Sequence, residues 1–243
     1  MIAKNEMRKG LILFISFFIV FAAMWAPWYG KDETGKGLNA FMAADNLFNS
    51  ISKGSSYFVD TLREDNAAFE GKTDLDMTVE ISDDSMLDLL DTVLSKHVDN
   101  MQINGSSISF EADLTELVES VLVDSEDLYN NQSAELARRY SQKEEDTRAV
   151  GYAWNLFLRA MEDKFNQEAE FDAAKHVSEV VNRGVEVGYN FYGIEAEKAT
   201  SKAGILSFSL VFYVLYTLWW GMAIFYLFEG LGLKMTKGKK KEV

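Results

Sequence analysis

The sequence predicts a membrane protein, mainly α, in which two transmembrane helices flank an extracytoplasmic α+β domain with long helices and a small β-hairpin or sheet. Three observations predict it. Residues 11–29 and 205–228 carry no charged side chain. The 175 residues between them, 30–204, hold 16 Lys and Arg against 35 Asp and Glu, a net of −19. The flanks outside both apolar runs are basic, with Lys4, Arg8 and Lys9 at one end and Lys234, Lys237, Lys239, Lys240 and Lys241 at the other.

The first run, 11–29, has 19 residues. At the helical rise it reaches roughly 28 Å, about the thickness of a hydrocarbon core. Trp25, Trp28 and Tyr29 gather at its far end, where amphipathic rings favour the interface. Pro27 is placed in its last turn, where a missing N–H costs little. The basic start and the Ala22-Ala23 pair also suit a cleaved signal peptide, but the apolar run exceeds a signal core, so a retained helix is expected. The second run, 205–228, reaches roughly 36 Å and crosses with some tilt. Basic flanks stay on the cytoplasmic side. This gives a cytoplasmic N-terminus (1–10), helix 11–29, an acidic extracytoplasmic domain (30–204), helix 205–228 and a cytoplasmic Lys-rich tail (229–243). The expected location is a cell (inner) membrane.

Within the domain, Gly30, Gly35 and Gly37 mark a turn-like exit from the first run. Helical spacing follows through Phe41, Ala44, Leu47, Phe48 and Ile51, then Tyr57, Phe58 and Leu62, with a break near Lys53-Gly54. Met77, Val79 and Ile81 alternate over 76–82, a strand pattern. Met86, Leu89, Leu90, Val93 and Leu94 share a helix face over 86–97. Asn104-Gly105 sits between alternating apolar residues of 101–110 and signals a hairpin. A helix over 114–123 completes a second strand–turn–helix unit that aligns with the first at an offset near 28 residues. From Ser125 onward the chain reads as helix, and the last helix is expected to run into the second membrane segment with a bend at Ala203-Gly204. Gly184 and Gly188, four apart, suit a close helix approach.

The chain has no Cys, which removes disulfides, thiolate catalysis, Fe–S clusters and thiolate zinc sites. A domain this large without disulfides points to a bacterial or archaeal source. His97 and His176 are the only imidazoles, and neither has a His or Cys partner at ligand spacing. Asn100, Gln102, Asn104, Gly105 and Glu111 mimic the spacing of a calcium loop, but Asn and Gln supply too little charge there and the hairpin explains the same residues. Nucleophile elbows, phosphate loops and dinucleotide fingerprints are missing. No catalytic residue, metal site or cofactor is therefore assigned, and the chain is expected not to be an enzyme. The acidic balance disfavours nucleic acid. The interiors of the apolar runs hold none of the ionisable groups that proton relays and ion paths need.

The membrane runs themselves carry the candidate contact residues. Phe14, Phe17, Phe21 and Trp25 recur along the first, and Phe212, Tyr216, Trp219 and Trp220 along the second, where Thr217 and Gly221 add a small-residue pair. Trp219 and Trp220 lie about 12 to 14 Å inside the cytoplasmic end. Packing against another helix explains such depth better than a flat lipophilic molecule does. Lys237, Lys239, Lys240 and Lys241 are assigned to lipid headgroups. The expected function is a non-catalytic accessory or structural subunit of a multi-subunit membrane complex, with other membrane subunits and the bilayer as partners. The alternatives are an extracytoplasmic sensor or ligand-binding protein, and a homo-oligomeric channel or assembly protein. The two-helix topology resembles chain-length regulators of polysaccharide export, but their proline-rich signature near the second helix is absent, so the chain is not placed among them.

Overall fold

The computed structural model describes residues 4–32 and 35–233. In chain order the elements are α1 (Lys4–Met24), α2 (Ala40–Lys53), α3 (Val59–Ala67), β1 (Asp74–Glu80), α4 (Leu87–Leu94), β2 (Asp99–Asn104) and β3 (Ser107–Asp113). There follow α5 (Leu114–Tyr129), α6 (Ser133–Tyr140), α7 (Arg148–Gln167), α8 (Phe171–Val180), α9 (Glu186–Phe191) and α10 (Ala203–Gly230). They divide into two compact units, Met1–Ile51 with Glu197–Val243, and Ser52–Ala196.

In the first unit α1 and α10 are both long and apolar enough to cross a membrane, and they pack antiparallel along their lengths. The first apolar run is not helical to Tyr29 as expected. The helix starts inside the basic flank and stops at Met24. Trp25 N–H and Ala26 N–H close tight bonds to Ala22 O and Ala23 O (3.1 and 3.2 Å), and Pro27 lies beyond the helix rather than in its last turn. Proline cannot supply the next donor, and it biases the residue before it away from the helical region. The chain then doubles back, with Tyr29 N–H on Leu38 O and Leu38 N–H on Gly30 O (3.0 and 2.9 Å). Gly30, at φ +121°, permits that path.

The expected continuous helix into α10 is also corrected. Helix α9 ends at Phe191, Gly193 adopts φ +81°, and helical structure resumes only with a 3-10 turn at Ala199–Lys202. Ala203 and Gly204 therefore lie inside α10, not at a bend. Asn131 fixes the break by accepting the Gly193 N–H at 2.7 Å.

The second unit is an antiparallel sheet of order β1-β3-β2 covered on one face by helices. Alternation decides which face: Leu75, Met77 and Val79 of β1 are buried while Asp74, Asp76, Thr78 and Glu80 are exposed. Ile108 and Phe110 of β3 extend the same face, and Phe110 meets Phe157 of α7 at 5.1 Å between ring centres. Leu90, Val93 and Leu94 of α4, and Leu117, Val118, Val121 and Leu122 of α5, complete the core. The turn is one residue later than expected. Ile103 pairs with Ile108 and Asn104 with Ser107, so the loop is Gly105-Ser106, with Gly105 at φ +63°. That register sets the two isoleucines directly opposite each other and gives the left-handed position to glycine. Between α8 and α9 the helix widens to a π turn, Val181–Val185. Gly184 there lies against Leu62 and Leu122, and a side chain on Gly188 would meet Ser125 O at 2.6 Å. Both expected glycines thus mark close helix approaches.

Candidate functional site

In the first unit, the antiparallel pair α1–α10 brings most of the predicted contact residues onto one another. Phe17 stacks on Tyr216 at 4.2 Å and 19°, and Trp220 lies 4.8 Å from Phe17 and 5.7 Å from Phe14. Phe212 continues the stack to Tyr216 at 5.3 Å. The Trp219 indole donates to Leu13 O at 3.1 Å, which satisfies its N–H inside an apolar surround. One group is left out: the Tyr216 hydroxyl is buried without a hydrogen-bond partner among the described residues. Phe21 and Trp25 lie further along α1 and at its end, 6.4 Å apart, and both meet Phe41 of α2 (6.2 and 5.3 Å).

Thr217 and Gly221 do not join this seam. Thr217 is exposed and donates to Tyr213 O within its own helix, and nothing lies within 4 Å of a side chain placed on Gly221. The close approach comes instead from Gly10 and Gly230. A Cβ on Gly10 would sit 2.7 Å from Leu227 N, and one on Gly230 would sit 2.6 Å from Met7 Cα. Their signal in the sequence was a glycine at the basic-flank end of each apolar segment. Lys237, Lys239, Lys240 and Lys241 fall outside the described residues.

The second unit holds polar groups that periodicity alone does not reveal. Asp124 of α5 is buried and accepts from Arg139, from Tyr140 Oη at 2.5 Å and from Trp154 Nε1 at 2.6 Å. Arg139 also donates to Asp127 at 2.8 Å. Because the tyrosine proton goes to Asp124, His97 Nε2–H donates to Tyr140 at 2.8 Å. Burial, reinforced by the Asp124 charge, pushes the Tyr140 phenol well above its usual range. Burial lowers His97, against the pull of Asp124. A carboxylate on the apolar stripe of Leu117, Val121 and Leu128 was the available clue. A second polar centre surrounds Lys53, which is buried, donates to Ile194 O at 2.5 Å and Phe191 O at 3.1 Å, and lies over the Tyr129 ring at 4.9 Å. It adds a charged donor at and just beyond the C-terminal end of α9, where Phe191 O also accepts the Ile194 N–H at 3.1 Å and Ile194 O also accepts from Asn131 Nδ2 at 3.2 Å.

The second unit also carries a cleft of about 760 Å³ lined by residues of α3, α8 and the segment after α3, including Asp65, Phe69, Asp172, His176 and Glu179. His176 stacks on Phe69 at 4.5 Å, and its Nε2–H donates to Asn66 Oδ1 at 2.9 Å, while Asn66 Nδ2 donates to Thr115 O at 2.8 Å. This fixes the neutral tautomer and leaves Nδ1 as the acceptor. Burial lowers the His176 pKa, and Asp65 opposes that shift. The calcium-loop mimic folds as hairpin, with Asn100 Nδ2 donating to Glu111 at 2.9 Å. Among the described residues no group of three or more His, Cys, Asp or Glu is placed to hold a metal.

Compared with protein-family models, with curated proteins and with solved structures, the chain matches none.

Proposed function

We propose that this chain is a non-catalytic accessory subunit of a membrane complex. In this reading α1 and α10 cross the bilayer as an antiparallel pair with both chain ends in the cytoplasm and residues 30–204 on the far side. The observation that carries it is the division of the helix surfaces. Phe14, Phe17, Phe212, Tyr216 and Trp219 meet within the chain, while Leu11, Ile12, Ile15, Ile19, Leu210, Val211, Leu215 and Leu218, together with Phe208 and Tyr213, stay between 46% and 68% exposed. Water does not tolerate so continuous an apolar surface, and lipid or a partner helix does. Thr217 and Gly221 leave a shallow notch in that surface, suited to the close approach of a partner's helix.

The absence of native Cys makes topology directly testable. Asp99→Cys should react with a membrane-impermeant maleimide in intact cells, and Lys9→Cys only after lysis. Full-length chain extracted in mild detergent should return a stoichiometric partner that Gly221→Phe releases. Recovery as a monomer without a partner overturns the accessory reading. A second reading, an extracytoplasmic ligand sensor, draws support from the His176 cleft. Saturable thermal stabilisation of the full chain by a small molecule, abolished by His176→Ala, would favour it.

A further inference from the structure

The start of α1 carries a groove that the helix pair does not use. It is shallow and open, offers about 500 Å³ and is lined by Lys4, Met7, Arg8, Leu11, Ile12 and Ile15. The spacing explains its form. Lys4, Arg8 and Ile12 make one row at four-residue intervals and Met7, Leu11 and Ile15 make the next, so the groove runs between two adjacent helical ridges. One row opens with two cations, and the rest of the lining is apolar. Leu11, Ile12 and Ile15 are 46%, 57% and 57% exposed.

Charge and placement restrict what can occupy it. Lys4 and Arg8 are exposed, and neither is paired with another described residue. The nearby anion, Glu6, lies roughly half a turn round the helix from the groove and is held by Lys9 at 3.0 Å. Gly10, Phe14 and Phe17, which meet α10, lie on a third side. Met7 lies at the edge the groove shares with α10, and the remaining lining lies off the helix–helix seam, with its positive end toward the chain terminus and its apolar end toward the middle of α1. From Lys4 to Ile15 it spans roughly 16 Å along the axis, comparable with the reach of a phosphate and the upper part of one acyl chain.

We propose that this groove seats one anionic phospholipid, its phosphate between Lys4 and Arg8 and an acyl chain along Leu11, Ile12 and Ile15. This rests on the membrane reading of α1, since the groove can meet a lipid only at a bilayer surface. Two cations at an anionic surface favour the charged lipid by about fivefold each, or roughly twenty-five-fold together.

The test is native mass spectrometry of the full-length chain released from nanodiscs of equal phosphatidylglycerol and phosphatidylcholine, alongside alkaline extraction of cell membranes. The wild type is expected to retain one phosphatidylglycerol in preference to phosphatidylcholine. The double variant Lys4→Gln/Arg8→Gln should lose most of that preference, and Lys9→Gln, on another side of the helix, should keep it. Inorganic phosphate in excess should not displace the lipid. Displacement by phosphate, an unchanged preference in the double variant, or an equal loss in Lys9→Gln overturns the proposal. A chain that stays in the membrane through alkaline extraction yet shows no lipid preference refutes the groove alone. Release by alkali refutes the membrane reading as well.

Discussion

Asp124→Asn removes one charge and almost no volume, so it isolates the role of the buried carboxylate. The wild-type carboxylate serves three donors from two oxygens, Arg139 on one and both Tyr140 and Trp154 on the other. An amide has one acceptor oxygen. If that oxygen faces Tyr140 and Trp154, the new NH2 points at the Arg139 guanidinium. If it faces Arg139, the NH2 points at the Trp154 N–H. No orientation satisfies all three. Arg139 keeps Asp127 and is 28% exposed, so its loss is discounted to about 1 kcal/mol. A fully buried Trp154 or Tyr140 donor left without its acceptor costs about 1 to 2 kcal/mol. The contributions are coupled, and about 3 kcal/mol is expected in total, a large part of the roughly 5 to 15 kcal/mol available to a domain. Trp154 is the only tryptophan between Ser52 and Ala196 and the other four lie in the first unit, so the part of the emission change that a Trp154→Phe control lacks follows urea unfolding of this unit within the full chain in detergent. Asp127→Asn should cost well under half as much. A stability for Asp124→Asn within about 0.5 kcal/mol of wild type, or equal costs for the two variants, would refute the network as described.

Other perturbations test other parts. Gly10→Leu should destabilise the helix pair by about 1 to 3 kcal/mol through overpacking, lowering the melting temperature in detergent, while Gly221→Leu should leave the isolated chain unchanged. Tyr216→Phe should be neutral or stabilising by the same assay, because it removes a buried hydroxyl that has no partner. Both histidines have folded pKa values depressed by burial, so the unfolded chain takes up protons first on acidification. Stability should be flat above about pH 6.5 and fall below it, by no more than about 1.4 kcal/mol per pH unit per histidine. Urea midpoints at several pH values check this, and His97→Gln with His176→Gln should flatten the slope. Lys53→Met should remove the charged donor from the Phe191 and Ile194 carbonyls, leaving them the Ile194 N–H and Asn131 Nδ2, and speed amide exchange over residues 192–198, with Lys53→Arg a milder change.

Much of the architecture was legible because it follows from periodicity. The alternation of Met77, Val79 and Ile81 defined β1, and the charge-free runs located α1 and α10. Boundaries were legible only where a local rule acts alone. Pro27 ended α1 early, and Gly193 with Asn131 broke the helix that apolar spacing had extended into α10. The contact residues were partly legible. Phe14, Phe17, Phe212, Tyr216 and Trp220 meet one another within the chain, and sequence spacing cannot say whether two stripes meet each other or a partner. Thr217 and Gly221 do not serve the α1–α10 contact, and Gly10 and Gly230 occupy that crossing, because the antiparallel register places the helix ends where backbones come closest. The Asp124 network joins α5, α6 and α7 to His97, and nothing local in the sequence links those positions.

The Lys53 cap has a consequence for how this protein is put together. Lys53 lies one residue inside the start of the Ser52–Ala196 unit and Ile194 two residues before its end, and the lysine ammonium bonds the isoleucine carbonyl at 2.5 Å. The unit thus leaves the chain almost where it entered. A segment whose ends coincide can be cut out and its ends rejoined, or exchanged for another, with little geometric demand on the flanking sequence. Entry and exit points this close together are the geometry that insertion or exchange of a whole segment requires.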